Sequence, residues 1–259
     1  MKCALITGAT SGIGYELAHI AAQKRIDLIL VGRNEEKLTQ TKIAWEKEYA
    51  IRVNIIRCDL SEPDAIEQMI ESLQSLAVQV DVLINNAGFG LFGEFDETDM
   101  QKENNMLQVN VVFLTQLTKY LYRQMKEQKH GYILNVASVA GFMPGPLMAV
   151  YYATKAYVLS FSQALSNEAK GTGVSVTALC PGPTETNFAG NAALESSMLF
   201  KSFGKLPGAK EVAAYGFRCM EKKKAITIYG TMNRAMVFLT RFLPKKMVCN
   251  MVRYVQRKI

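Results

Sequence analysis

Ala4-Leu5-Ile6-Thr7-Gly8-Ala9-Thr10-Ser11-Gly12-Ile13-Gly14 is the stretch whose reading decides the fold. The apolar run 4–6 reads as a short strand, and a glycine-rich turn follows it at once. Leu17, Ala18, Ala21 and Ala22 then recur at helical spacing. Strand, tight turn and helix in that order open a βαβ unit. Glycines at 8, 12 and 14 let a backbone approach a pyrophosphate closely. The helix amino terminus behind them offers free N–H groups and a favourable dipole. The spacing is GxxxGxG rather than the commoner GxGxxG.

Outward from this turn, strand and helix patterns alternate. A second strand over 27–32 ends at Gly32-Arg33-Asn34. Enzymes that use NAD usually place an acid there to bond the adenosine ribose. Arg33 could instead pair with a 2′-phosphate by charge-assisted hydrogen bonds, which favours NADP; the plain alternative is a solvated loop arginine. A charged helix with an apolar stripe covers 35–48, and a third strand, 51–56, leads to Cys58-Asp59-Leu60. Asp59 either holds the adenine amino group or caps the next helix, 61–76, which Ser61-Glu62-Pro63 would start.

A fourth strand, 80–84, runs into Asn85-Asn86-Ala87-Gly88, whose small residues leave room for a ligand beyond a strand end. A polar helix start at 98–105 continues into an apolar helix over 106–121. Asn110 lies inside it between two valines, where an amide needs partners; a satisfied core asparagine is the alternative role. The fifth strand, 131–136, ends at Ala137-Ser138. The segment 141–146 is rich in helix breakers and is expected to be irregular. A helix over 151–170, a sixth strand over 174–179 and Cys180-Pro181-Gly182-Pro183 follow. Residues 184–208 read as a lid of short helices; a helix over 210–220 and a seventh strand over 225–229 close the pattern. Such alternation builds a parallel sheet of about seven strands, doubly wound by right-handed crossovers, with helices on both faces.

Tyr151 and Lys155 stand four apart on a predicted helix, so their side chains share a face. A nearby ammonium favours the phenolate and lowers a tyrosine pKa, making a phenol that exchanges protons nearer neutral pH. An exposed Tyr–Lys pair is the bland alternative. Tyr152, three residues from Lys155, is the rival phenol and is expected to pack beside the pocket.

Composition narrows the function classes. The chain has 259 residues, and its five cysteines are scattered, with no CxxC spacing. That pattern argues against a disulfide framework and a zinc site, and no metal is expected. The opening apolar run is too short for a signal peptide, and no segment reaches the length of a membrane span. A reducing cytoplasmic location fits. The net charge is +7, and residues 234–259 hold seven basic residues and no acid. With those set aside, the body carries 23 basic and 23 acidic residues. A balanced body argues against nucleic-acid binding.

The motifs Thr7-Gly8-Ala9-Thr10-Ser11-Gly12-Ile13-Gly14, Asn85-Asn86-Ala87-Gly88, Asn110, Ser138, Tyr151 with Lys155, and Pro181-Gly182 together resemble the short-chain dehydrogenase/reductase family in order and spacing. The resemblance covers roughly residues 1–230. It implies a single Rossmann-type domain there, with 231–259 as a basic amphipathic helical extension similar to that of a bacterial branch of the family. It implies a catalytic tetrad of Asn110, Ser138, Tyr151 and Lys155. Tyr151 would exchange the proton, Lys155 would hold the nicotinamide ribose and lower the phenol pKa, Ser138 would bond the carbonyl, and Asn110 would anchor a water leading from Lys155 to solvent. It implies cofactor contacts at Gly8, Thr10, Ser11, Gly12, Ile13, Gly14, Arg33, Asp59, Leu60, Asn86, Ala87, Gly88, Tyr151, Lys155, Pro181, Gly182, Thr184 and Thr186. Ser138, Phe142, Tyr151 and Phe188 are the expected substrate contacts. The implied activity is carbonyl–alcohol interconversion with NADP(H), in a homo-oligomer. A non-catalytic NADP-binding regulator or membrane-associated scaffold of the same fold is the alternative.

Two features stay open at this level. Around Pro244, residues 236–243 and 247–259 form a basic amphipathic helix pair. It fits a core-covering or dimer-interface element, a membrane-surface anchor, or a frayed tail. Phe142, Met143, Met148 and Phe188 suggest an apolar pocket and an apolar ketone or acyl substrate, unless they simply pack the fold.

Overall fold

Seven parallel strands in the order β3-β2-β1-β4-β5-β6-β7 organise the computed structural model, which describes residues 1–186 and 206–257. The strands are β1 (Cys3–Thr7), β2 (Asp27–Gly32), β3 (Val53–Arg57), β4 (Val82–Asn85), β5 (Gly131–Val136), β6 (Val174–Cys180) and β7 (Ile226–Ile228). Helices α1 (Gly12–Gln23), α2 (Glu35–Tyr49), α3 (Ala65–Leu76), α4 (Met100–Leu107), α5 (Leu114–Glu127), α6 (Ala149–Glu168) and α7 (Ala209–Glu221) connect and cover them. Both sheet faces are covered, so the central strands are apolar throughout rather than alternating. Successive side chains still point to opposite faces. Ala4, Ile6, Leu28 and Leu30 pack with α1, α2 and α7, whereas Leu5, Ile29 and Val31 pack with α3 and α5.

Strand order reverses between β1 and β4, which pair directly. In an open parallel sheet the crevice at the carboxyl ends of such a strand pair is the place for a ligand. The turns after β1, β4, β5 and β6 all end there.

Several expected boundaries shift, each for a local reason. Helix α3 begins at Ala65, not at 61, because Ser61-Glu62-Pro63 makes a turn in which Ala65 N–H bonds Glu62 O at 3.2 Å. Its amino-terminal cap is Asp64, so Asp59 does not cap it. The helix expected over 106–121 is interrupted: Gln108–Phe113 is π-helical, with hydrogen bonds that reach one residue further than in an α-helix. Within the segment expected to be irregular, Gly141 and Phe142 complete a 3₁₀ turn, Val139–Phe142, capped by the Ser138 hydroxyl. Pro244 separates two further helices, α8 (Thr231–Leu239) and α9 (Lys245–Gln256). Val237, Val248 and Gln256 are buried, so this pair is packed and not frayed. Most of the segment read as a lid, Phe188 included, lies outside the described residues.

Candidate active site

The glycine turn is shaped by contacts that forbid side chains. Gly8 and Gly12 take φ of +66° and +56°, which L side chains rarely adopt. A Cβ on Gly8 would lie 2.9 Å from Asn86 Nδ2 and 3.0 Å from Ala87 Cα. Asn86 holds the turn from behind, donating from Nδ2 to Thr7 O and Gly8 O at 3.1 Å each. Thr7 ties the two strand ends together: its hydroxyl accepts from Asn86 N–H at 3.1 Å and Ala87 N–H at 3.0 Å. The sequence placed Thr7 at the head of the glycine motif but gave its hydroxyl no role, because that role depends on β1 lying beside β4.

One cavity of about 800 Å³ runs from this turn along the carboxyl ends of the strands. Gly8, Thr10, Ser11, Gly12 and Ile13 line its floor, with Arg33, Asp59 and Leu60 at one end. Asn86, Ala87, Gly88, Ser138, Tyr151, Lys155, Pro181, Gly182, Thr184 and Thr186 line the remainder. Three expected residues do not reach it. Gly14 is buried behind the turn, where a Cβ would meet Asn86 Nδ2 and the Gly8 carbonyl; it is a packing glycine. Phe142 is partly buried and packs against an apolar cluster with Leu114, Ala137 and Val158. Asn110 is buried one layer behind.

Asn110 sits in the π-helical stretch and clamps the loop after β4. Its Nδ2 donates to Phe89 O at 2.9 Å and Thr154 Oγ1 at 3.1 Å, and its Oδ1 accepts from Phe89 N–H at 3.2 Å. Both amide donors are thereby spent on protein atoms. A Cβ on Gly88 would come 2.9 Å from Asn110 Oδ1 and 3.5 Å from Lys155 Nζ, so only glycine lets these two groups converge.

Lys155 projects from α6 and donates from Nζ to Val136 O at 2.9 Å. Its ammonium stands 5.8 Å from the ring centroid of Tyr151. Burial pushes the Lys155 pKa down to about 8, against a small opposing pull from Cys180. Burial likewise pushes the Tyr151 phenol up to about 12, and a side-chain hydrogen bond with Ser138 acts the other way. Burial thus moves the phenol in the direction opposite to the one expected from the Tyr–Lys spacing. The Ser138 hydroxyl also accepts from Ala140 N–H at 3.1 Å, which fixes where it points.

Arg33 and Asp59 meet at the far end, Nη1 to Oδ2 at 3.8 Å, with Arg33 exposed and Asp59 partly buried. Burial would raise the Asp59 carboxyl, but hydrogen bonds from the Ser61 hydroxyl and N–H, with Arg33 nearby, hold it below its usual value. The other wall was not legible in the sequence. Met236, Val248, Met251, Val252, Val255 and Gln256, from α8 and α9, face the cavity. Tyr152 lines it too, and its phenol accepts from Gln256 Nε2 at 2.7 Å. The four-residue apolar period of α9 signalled a helix without saying what it would face. Among the described residues no group of His, Cys, Asp or Glu could hold a metal ion. The bare glycine floor, the paired polar groups and the long cleft fit a dinucleotide.

Residues 2–196 match the short chain dehydrogenase family. An uncharacterized oxidoreductase of Staphylococcus saprophyticus is 31% identical over 192 residues, covering 73% of this chain and 81% of that protein. A short-chain dehydrogenase from Sphingobium yanoikuyae, in complex with NADPH, superposes with a TM-score of 0.82 at 27% identity, over 95% of this chain and 97% of the other. A 7β-hydroxysteroid dehydrogenase gives 0.86 at 26% identity, over 98% and 96%. A short-chain dehydrogenase/reductase from Burkholderia phymatum, in complex with NAD, gives 0.82 at 26%, over 93% of each. With the family's glycine turn, Tyr–Lys helix and strand order all present, this chain belongs to the short chain dehydrogenase family and is an oxidoreductase of that family.

Proposed function

We propose that the protein interconverts a carbonyl and an alcohol with NADP(H), using Tyr151 as general acid and base. The observation that carries this reading is the convergence of Ser138, Tyr151 and Lys155 on the same cavity as the glycine turn. The turn's N–H groups and the start of α1 hold the pyrophosphate. Arg33 pairs with the 2′-phosphate, no acid standing at that strand end, and Asp59 and Leu60 border the adenine. Thr184, Thr186, Pro181 and Gly182 border the nicotinamide end.

When bound, the cofactor donates or accepts a hydride at nicotinamide C4. Ser138 donates a hydrogen bond to the substrate oxygen and stabilises its developing charge. Tyr151 holds the proton that the oxygen gains on reduction. The Lys155 ammonium favours the phenolate left behind, and Asn110 keeps Lys155 and the loop after β4 in register. The substrate is apolar and bulky, since methionines and valines supply the wall opposite the catalytic groups. The protein works as a homo-oligomer, as its family commonly does.

Oxidation of NADPH and of NADH with a panel of bulky ketones tests the reading. NADPH consumption with at least one apolar ketone is expected, and its absence across the panel sinks the enzymatic reading. Arg33→Ala should weaken NADPH by roughly tenfold more than NADH, as a lost charge-assisted pair requires. Equal losses would remove the 2′-phosphate role.

A further inference from the structure

The helices α8 and α9 have two working faces. The inner one, through Val248, Val252 and Val255, walls the cavity. The outer one exposes Phe238, Leu239, Phe242, Met247, Met251 and Tyr254, each between 50% and 71%. Phe238 and Phe242 stack edge to face at 5.1 Å, so they form one apolar knob at the turn before Pro244. On α9, Met247, Met251 and Tyr254 stand at i, i+4 and i+7, one stripe along the helix. Lys246, Arg253 and Arg257 lie beside it, with Arg253 ion-paired to Glu94 at 2.8 Å. Met251 belongs to both faces: it lines the cavity and is half exposed, so the apolar stripe reaches the cavity rim.

The charge on this segment is one-signed. Residues 234–259 hold seven of the 30 basic residues, no acid, and hence the whole net charge of +7. Arg241, Lys245 and Lys246 are exposed around the aromatic knob. Arg253 is ion-paired with Glu94, but a second copy docking here by a two-fold axis would oppose Arg241, Lys245 and Lys246 to the same cations, which like-charge repulsion disfavours. A surface of phosphate headgroups over acyl chains matches both halves of the pattern: bulky apolar residues enter, and the cations stay at headgroup level. No helix among the described residues is long and apolar enough to cross a membrane, so the contact is peripheral.

We propose that the outer face of α8 and α9 docks on an anionic phospholipid surface and sets the rim of the cavity against the lipid. The docking stands apart from the catalytic reading; its corollary, uptake of an apolar substrate from the bilayer, rests on that reading.

Flotation of the full chain with phosphatidylglycerol-containing vesicles, and with pure phosphatidylcholine vesicles, tests the proposal. The expected result is binding to the anionic vesicles at about 0.05 M salt, strongly reduced at about 0.5 M, where screening is short-ranged. Binding to neutral vesicles should be weak. Each cation near an anionic surface is worth roughly fivefold in partitioning, so Lys245→Gln with Lys246→Gln should lower it at least about tenfold. Phe238→Ser with Phe242→Ser should do the same. None of these four residues lines the cavity, so ketone reduction and the melting temperature should stay at wild-type values. Absence of binding at low salt, equal binding to both vesicle types, or wild-type binding by both variants overturns the proposal. So does light scattering in which the aromatic variant alone turns a dimer into monomers, since the face would then belong to a second copy. A chain that binds vesicles but reduces no ketone would sink the enzymatic reading and leave the docking intact.

Discussion

The phenol of Tyr151 bonds Ser138, whereas that of Tyr152 accepts a hydrogen bond from Gln256 at 2.7 Å. Adjacent residues on a helix diverge by 100°, so one turn of α6 serves the chemistry and the far wall separately. Tyr151→Phe should keep the fold and cofactor binding and lose about 10²–10⁴ in turnover, the usual worth of a positioned acid. Tyr152→Phe should stay within a few-fold in turnover and raise KM, because its bond steadies α9. Steady-state kinetics of both variants check this, and full activity of Tyr151→Phe would overturn the assignment. Lys155 adds a pH dependence. Its folded pKa of about 8 means that the ammonium is lost above that value, and with it the cation that favours a phenolate. The rate of reduction should therefore fall as pH rises past about 8, although Tyr151 itself remains protonated there. A pH–rate profile flat to pH 10 would remove Lys155 from that role.

At the scale of elements, the contact between the glycine turn and the loop after β4 sets the site. A Cβ at Gly14 would lie 2.4 Å from the Gly8 carbonyl and 2.2 Å from Asn86 Nδ2, and the carbonyl cannot move without opening the turn. Gly14→Ala should cost about 1–3 kcal/mol, as overpacking of a tight contact does. Urea unfolding should show this as a lower midpoint at unchanged slope. The π-helical stretch around Asn110 was not legible in its apolar sequence. Its wider turn goes with tertiary bonds from the Asn110 amide to Phe89 and Thr154, residues 21 and 44 positions away. The start of α3 was misplaced for a similar reason: proline permits a helix start and equally a turn, and here the turn is taken.

At the scale of the whole molecule, burying an ammonium couples the site to global stability. Below about pH 8 the folded and unfolded chains both carry the Lys155 proton, and the fold bears the desolvation cost. Between about 8 and the ordinary value of 10.5 the unfolded chain binds a proton that the folded chain has released, so this group makes stability rise with pH. Tyr151 acts oppositely above 10.0, because its folded pKa is raised and the folded chain keeps the proton that the unfolded chain loses. The buried thiols of Cys3, Cys58 and Cys180 are pushed up as well and act in the same sense as Tyr151, from about pH 9. Comparison with Lys155→Met isolates the lysine: urea midpoints measured from about pH 7 to about pH 9.5 should rise relative to the variant. A constant difference between the two proteins would show that the ammonium is not desolvated.

Periodicity and punctuation in the chain determined the parallel sheet, its seven strands, the glycine turn and the spacing of Tyr151 and Lys155. Those features depend on neighbours within a few residues or on repeated local patterns. The tertiary structure decided what faces what. It packed Phe142 against Leu114, Ala137 and Val158, turned Gly14 into packing, spent both donors of Asn110 on protein atoms and raised the Tyr151 pKa by burial. It also brought residues 236–256 across the sheet to wall the cavity. Desolvation and long-range packing depend on the surroundings of a group in space, and those surroundings form only once the crossovers have been made.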